Sequence, residues 1–366
     1  MYEHSDQNAD SLAIPFLLKN LIETLIGKLQ AHPKRFVFTD GADPRVLQAA
    51  RQIVTRKMGV PILLGDRSLI KDTAAKLGIA TKGMRIIEPA RSSDIDFFCQ
   101  DLKSIPKFQS LSESELRSKV TESPIFATLM LCRNRAEALI SGATTRASSA
   151  LRALFQIIGT QPGVKTASSL LLIDMEAKEV GIRGALFMGD CGVIPNPDSA
   201  QLADIAITTA SLAFHLTGAR PKVAMLSYST HGNACHQGIA KIQEATAIAQ
   251  EKANQIGLDI DIDGDLQVDA ALDRATALIK DTGNSPVAGQ ANILIFPDLN
   301  SGNIASKMIH LLSGANKYGQ IIMGLNSPAA EISRGATAHD ILGAVAIVGC
   351  QAIDHRLMLG ATIPRS

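Results

Sequence analysis

The chain contains no tryptophan and is poor in aromatic residues, at 4%. Base stacking on aromatic platforms is therefore an improbable main activity. It also lacks an excess of either charge: 36 Lys and Arg face 35 Asp and Glu, a formal net charge of +1. No bulk field points to nucleic acid or an anionic membrane. Cysteines are few and scattered, at Cys99, Cys132, Cys191, Cys235 and Cys350, with no Cys-x-x-Cys pair. That pattern fits reduced thiols in a cytoplasmic protein. No uninterrupted apolar run reaches the ~20 residues of a membrane-spanning helix. Phe16 to Leu29 is apolar but broken by Lys19, Asn20, Glu23 and Lys28. It reads as an amphipathic helix over 15–30 behind a polar tail (1–14), rather than as a signal peptide.

Several chemical signatures are missing too. There is no Walker A loop, no G-x-G-x-x-G after the first strand, and no G-x-S-x-G elbow. Mononucleotide, dinucleotide and α/β-hydrolase readings lose their support. Asp259, Asp261 and Asp263-Gly264 open like a calcium loop, but Ala270 stands where the bidentate glutamate belongs. His231, Cys235 and His236 lack a fourth ligand, so no zinc site is expected. No metal is expected at all.

What is present is an α/β pattern. At 366 residues the chain exceeds one ordinary core, so two domains, or one split by an insertion, are expected. Strands are predicted at 35–39, 60–64, 84–87 and 138–140, with helices at 44–57, 67–77 and 147–158 between and after them. Residues 88–137 read as helical and charged. Strand–helix alternation of this kind implies a parallel sheet. Farther on, 170–174 and 184–188 suit a hairpin, and Asp198 suits a cap for a helix over 199–217. Strands are expected at 223–227 and 292–296, helices at 237–256, 268–281 and 304–313, a turn at 261–265 and a loop at 297–303.

Four predicted strand ends are rich in Gly, Ser, Thr and Asn: 141–145, 227–233, 298–303 and 333–335. Backbone and hydroxyl donors gathered at strand ends make an anion-binding cleft. The last lies in 326–345, a loop bracketed by Pro328 and Gly335 that leads into an apolar helix-like run. Ser333 and Arg334 fall just before that helix, where free N–H groups and a guanidinium favour an anion. Asp340 lies in the first turn, where it can accept a proton. Thr337 and Asp340 also fit the loose form of a capping box, the more ordinary reading of that spacing. Taken together, the residues describe a two-domain α/β enzyme for a phosphorylated substrate.

At these same residues the chain resembles the phosphate acetyltransferase/phosphate butyryltransferase family. The matching segments are 223–230 (Val-Ala-Met-Leu-Ser-Tyr-Ser-Thr), 263–270 (Asp-Gly-Asp-Leu-Gln-Val-Asp-Ala), Ser285-Pro-Val-Ala-Gly289 with Ala291-Asn292, Phe296-Pro-Asp-Leu-Asn300 with Gly302-Asn-Ile304, and Ile332-Ser-Arg-Gly335 with Asp340. The resemblance spans roughly 35–353 and is densest from 223 onward. It implies interconversion of acetyl-CoA and phosphate with acetyl phosphate and CoA, by direct thiolate attack on the acyl phosphate in a ternary complex. It also implies two α/β domains of the isocitrate/isopropylmalate dehydrogenase-like type with the active site between them. The first would comprise 1–163 plus 320–366, including an N-terminal extension and helix over 1–34; the second, 164–319. Coenzyme A and acetyl-CoA would be substrates, with no permanently bound cofactor, and the protein would be a cytoplasmic homodimer.

By the same resemblance Asp340 would take the thiol proton, Ser333 would stabilise charge on the acyl group, and Arg334 would bind near the phosphate. A free thiol has a pKa of about 8.5, so a nearby carboxylate favours the thiolate. Arg152 matches the family's phosphate-binding arginine, while Thr144, Thr145, Ser148, Ser229, Thr230, Asn300 and Asn303 complete the expected substrate-binding set. The run Thr144-Thr-Arg-Ala-Ser-Ser-Ala-Leu-Arg-Ala153 departs from the family pattern: Ser149 stands for Asp, Ala150 for Thr and Ala153 for Pro, and Arg146 is an added cation. Another expected arginine finds Leu102, with Lys103 beside it, and the family's Ser-Thr-Lys-Gly reads Ser229-Thr230-His231-Gly232. These departures leave two alternatives open: a longer acyl group such as butyryl, or a catalytically impaired relative that binds CoA or acyl phosphate.

Overall fold

Short β-branched and leucine-rich runs alternate with amphipathic stretches through most of the chain, and the fold follows that alternation. The structure, a computed structural model, describes residues 21–175, 180–280 and 282–353. The expected tail over 1–14 and the first residues of the 15–30 helix lie outside the described residues. From the N-terminal side come α1 (Leu21–Ala31), β1 (Lys34–Phe38), α2 (Pro44–Thr55), β2 (Gly59–Leu64), α3 (Arg67–Lys76) and β3 (Arg85–Ile87). Three helices follow, α4 (Ile95–Ser104), α5 (Glu113–Val120) and α6 (Ser123–Cys132), then β4 (Ala138–Ser141) and α7 (Ala147–Ile157). The middle holds β5 (Ser168–Asp174), β6 (Ala185–Gly189), α8 (Ser199–Thr217), β7 (Lys222–Leu226), α9 (Gln237–Gln255) and β8 (Asp261–Leu266). The rest is α10 (Val268–Leu272), α11 (Arg274–Ile279), β9 (Ile293–Ile295), α12 (Leu299–Ser313), β10 (Asn316–Met323), β11 (Ala329–Glu331) and α13 (Ala338–Ile353).

Among the described residues eleven strands form one sheet, in the order β3-β2-β1-β4-β11-β10-β5-β6-β9-β7-β8. Its two flanks are parallel: β1 pairs with β2 and β4, and β9 with β6 and β7. The centre is antiparallel, where β10 pairs with β5 and β11, and β5 with β6. The hairpin expected from 170–174 and 184–188 is therefore present, one residue displaced. α13 packs against α1, α2 and β10, which returns the chain's last described helix to its beginning. Its residues 340–351 are all buried. Gly343 permits that depth, since a Cβ there would come within 2.1 Å of the Tyr318 ring. No helix among the described residues is long and apolar enough to cross a membrane.

Four local expectations are corrected. The expected turn at 261–265 is strand β8, because pairing with β7 overrides the weak strand propensity of its Asp and Gly residues. The helix expected over 268–281 is two short ones, divided where the Asp273 side chain accepts from the Thr276 amide and caps α11. Asp298 likewise caps α12 five residues ahead of its expected start at 304, so Asn300 and Asn303 are helical rather than in a loop. Finally, β10 and β11 occupy 316–323 and 329–331, where no strands were expected; they pair with each other, and each is seated by a neighbour distant in sequence, β5 for β10 and β4 for β11.

Candidate active site

Three strand-end loops close on aspartates of the chain itself. The Asp40 carboxylate accepts from the amides of Gly142, Ala143 and Thr145 at 3.0–3.2 Å. It also accepts from the hydroxyls of Thr39, Thr144 and Thr145 at 2.6–3.0 Å. The donors of Thr144 and Thr145, expected to face a substrate, are thus turned onto an internal anion. Asp190 collects the amides of Ser169, Gly192, Val193 and Ile194 and the Ser169 hydroxyl. Asp265 gathers the loop after β7, accepting from the Gly232 amide and from Gln243. Burial pushes its carboxyl up, yet hydrogen bonds from Ser229, Gln243 and backbone amides outweigh this and hold it below the ordinary value. Ser229 and Thr230 are buried there, at 2% and 0% exposure, and Thr230 is bonded to Gln267.

Arg45 ties two loops together. Its guanidinium pairs with Asp43 at 2.8 Å and donates to the carbonyls of Ala143, Arg334 and Ala336. The loop after β4 and the loop after β11 are thereby fixed side by side. Gly142, between them, has φ +110°, and a Cβ there would lie 2.2 Å from the Ile332 carbonyl oxygen. Only glycine allows that approach. On the other side Cys191 offers one carbonyl to both Asn303 and Gln320, at 3.1 and 3.0 Å, which joins α12 and β10 to the loop after β6.

These loops enclose a cavity of about 410 Å³. Four cationic side chains line it, Arg146, Lys307, Lys317 and Arg334, against a single carboxyl, Glu331. Ser333, Thr145, Ser148, Asn303 and Ser306 add polar lining. Burial lowers the Lys317 pKa, while the charge of Asp340 opposes that shift and Lys307 adds to it. Such a wall suits a compact anion carrying more than one charge.

Of the expected site residues, Ser333, Arg334, Thr145, Ser148 and Asn303 meet at this cavity. Asp340 does not line it. It is 7% exposed, lies within electrostatic reach of Lys317, and makes the reciprocal capping pair with Thr337: its Oδ2 accepts from the Thr337 amide at 2.8 Å, and its own amide donates to the Thr337 hydroxyl at 3.1 Å. Asp340 Oδ1 has no hydrogen bond among the described residues. Arg152 is exposed on α7, one turn beyond Ser148 and outside the lining. Thr144, Ser229, Thr230 and Asn300 also lie outside it. Leu102 is fully buried beside Phe98 and Phe126 in a hydrophobic cluster, and neither it nor Lys103 reaches the cavity. Sequence reasoning missed Asp40, Lys307, Lys317 and Glu331, and treated Arg146 as a departure. Only Glu331 carried a usable signal, two residues before Ser333. Among the described residues no group of three or more His, Cys, Asp or Glu gathers as a metal site.

Residues 20–349 match the family model described as Phosphate acetyl/butaryl transferase. The chain belongs to this family. A Phosphate acetyltransferase from Thermoanaerobacterium thermosaccharolyticum is 37% identical over 333 residues, 91% of this chain and 99% of that one. Among solved structures, the EutD phosphotransacetylase from Staphylococcus aureus superposes with a TM-score of 0.81 at 34% identity, covering 91% of this chain and 98% of its own. A phosphotransacetylase from Streptococcus pyogenes gives the same TM-score, 0.81, at 33% identity over 91% and 99% of the two chains. A branched-chain phosphotransacylase from Enterococcus faecalis, 16% identical with a TM-score of 0.62 over 87% of this chain, shares the fold. Within the matched range, the segment Ile332-Ser-Arg-Gly335 carries Ser333 and Arg334 into the cavity wall.

Proposed function

We propose that this chain is a phosphate acetyltransferase, interconverting acetyl-CoA and phosphate with acetyl phosphate and CoA. The observation that carries the reading is the cavity itself: four cations, Arg334 among them, and the Ser333 hydroxyl converge on a space sized for a phosphate and a small acyl group. Arg334 and Lys317 hold the phosphate oxygens, and Arg334 does so with a fork of two N–H donors. Ser333 donates to the acyl oxygen as charge grows there. Asp340 lies outside the lining but within electrostatic reach of Lys317, and we assign its unbonded Oδ1 the proton of the CoA thiol while Oδ2 stays on the Thr337 amide. Attack of the thiolate on the acyl carbon then needs only that both substrates be held in line, and positioning supplies much of the rate. Arg152, exposed one turn along α7 from Ser148 and outside the lining, is assigned the more remote phosphates of CoA.

We read the architecture as two α/β domains of the isocitrate/isopropylmalate dehydrogenase-like type, 1–163 plus 320–366 and 164–319, with the cleft between them. The return of β11 to β4 and of α13 to α1 and α2 supports that division. Homodimerisation is part of the proposal: Ile304, Met308, Leu311 and Leu312 form one face of α12 at 54–81% exposure, an apolar stripe suited to a second copy. Five free cysteines suit the reducing cytoplasm.

The test is thioester formation by the purified protein from CoA and acetyl phosphate. Turnover with acetyl phosphate is expected. A marked preference for butyryl phosphate would move the reading to the longer-chain reaction. Tight CoA binding with no turnover on any acyl phosphate would refute both and favour a binding protein.

A further inference from the structure

We infer that Glu331 is a second proton carrier of this site, the general acid that protonates the departing phosphate oxygen when acetyl phosphate is cleaved. The inference rests on the acetyltransferase reading above. Glu331 ends β11, opposite Ser141 of β4. Gly142 leaves room for its side chain, because a Cβ at that position would stand 2.7 Å from Glu331 Oε1. Among the residues lining the cavity it is the only carboxyl. Among the described residues no hydrogen bond or ion pair occupies it. That sets it apart from Asp40, Asp190 and Asp265, whose oxygens are taken up by loop donors.

Charged groups face it from every side. Arg334 lies in its own loop, Asp40 after β1, Arg146 at the start of α7, Lys317 on β10 and Lys307 on α12. Arg45 of α2 is committed to Asp43 and to loop carbonyls, and Asp340 of α13 acts on Lys317. Burial pushes the Glu331 carboxyl up, to about 7, with the charge of Asp40 adding and that of Arg334 opposing. An acid with a pKa near the working pH is the best compromise between being protonated and being able to give the proton away.

The reaction has a place for it. When the CoA sulfur bonds to the acyl carbon, the carbon–oxygen bond breaks and its electron pair goes to the phosphate oxygen. Unassisted, acetyl phosphate dianion would expel phosphate as a trianion. Asp340 receives the thiol proton, and Glu331 gives its own to the departing oxygen, so that hydrogen phosphate dianion leaves. The products are the thioester and that dianion, with Asp340 protonated and Glu331 ionised; proton exchange with solvent restores both. The cations hold the phosphate while the two carboxyls divide the proton transfers, Asp340 taking the thiol proton and Glu331 supplying the one on the departing oxygen.

The experiment measures kcat against pH for the full chain in the thioester-forming direction, at saturating acetyl phosphate and CoA. The wild type is expected to lose activity as pH rises through a midpoint at or above about 7. Glu331→Gln is expected to lower kcat about 100-fold, leave KM for CoA within about twofold and abolish that limb. Glu331→Asp is expected to retain the limb at reduced kcat. A Gln variant that keeps the limb, or keeps kcat within about threefold, overturns the assignment. Should the Gln variant fail to fold, the wild-type profile decides: the falling limb supports the assignment and its absence overturns it. Absence of any wild-type turnover would instead refute the parent reading.

Discussion

Asp340→Asn separates the capping seen in the structure from the proton-accepting role proposed for the same residue. As a cap, Asp340 accepts from the Thr337 amide and stands in the first turn of α13. An asparagine keeps an acceptor for that amide and forfeits only the negative charge at the helix N-terminus, worth about 0.3–1 kcal/mol. Such a loss lowers the melting temperature by at most about 2–4 °C in a 150–250-residue domain, and by less in a longer chain. As a base, Asp340 supplies a proton-transfer effect of about 10²–10⁴-fold, or roughly 2.7–5.5 kcal/mol of barrier at ~1.36 kcal/mol per tenfold. The catalytic effect therefore exceeds the structural one by about 2–5 kcal/mol. Thr337→Ala is the mirror image: it removes the hydroxyl that accepts from the Asp340 amide, at a cost of about 0.5–2 kcal/mol, but leaves the carboxylate. Thioester formation at saturating substrates and thermal unfolding, run on both variants, give four numbers. The Asn variant should be at least 100-fold slow and nearly as stable as wild type, the Ala variant nearly as fast and less stable. An Asn variant within threefold of wild-type turnover that melts several degrees lower would make Asp340 a cap and nothing more.

Other consequences are simpler to check. Arg334→Ala, which removes a forked cation from the cavity wall, should raise KM for acetyl phosphate about 10–100-fold, and Arg152→Ala should raise it far less; equal effects in steady-state assays would move the phosphate toward Arg152. Burial lowers the Lys317 pKa from its usual 10.5, so its cation is lost as pH rises through that lowered value, and acetyl phosphate affinity should fall there. Lys317→Met should bind more weakly at neutral pH and lack that alkaline loss, whereas Asp340→Asn, by removing the charge that opposes the shift, should move the loss to lower pH. Leu311 and Leu312, at 77% and 81% exposure, suit an interface, so Leu311→Glu should convert a dimer to a monomer in light scattering without unfolding it; an unchanged mass refutes the α12 face.

The alternation of strands and helices was legible wherever it was local. β1, β2, α2 and α8 carry their periodicity and caps within themselves, as with the Asp198–Gln201 box of α8. β8, β10 and β11 were not legible in the same way: their own residues, Asp, Gly and Ala among them, are weak strand formers, and although β10 and β11 pair locally with each other, it is β5 and β4, far back in the chain, that seat them in the sheet. The site divides similarly. Ser333 and Arg334 stood out as a short motif at a helix entrance, and they line the cavity. Lys307 and Lys317 did not stand out, since a lysine on an amphipathic helix or strand reads as solvated surface until the sheet brings the two to one wall. The hydroxyl-rich strand ends were read as ligand donors, yet at 141–145 and 227–233 many of the donors are used on Asp40 and Asp265. Gly, Ser and Thr at a strand end cannot by themselves reveal whether the anion they hold belongs to the protein.

That last ambiguity gives Asp40 its interest. Its two oxygens hold the amides of Gly142, Ala143 and Thr145 and the hydroxyls of Thr39, Thr144 and Thr145. In Asp40→Asn one oxygen becomes an NH₂ group, which confronts the donors on that side instead of accepting from them. Hydroxyls can turn to water, but a loop amide left without an acceptor costs about 1–3 kcal/mol, and the loss of charge-assisted bonds adds to it. A destabilisation of at least about 2 kcal/mol is expected in chemical denaturation. The same substitution removes the charge that raises the Glu331 carboxyl, so the falling limb of the kcat–pH profile should move toward acid. The shift is diagnostic because a loosened loop slows the enzyme at every pH without moving a midpoint. If Asp40→Asn slows turnover but the midpoint stays where it was, the titrating group is not beside Asp40, and Glu331 is not the acid.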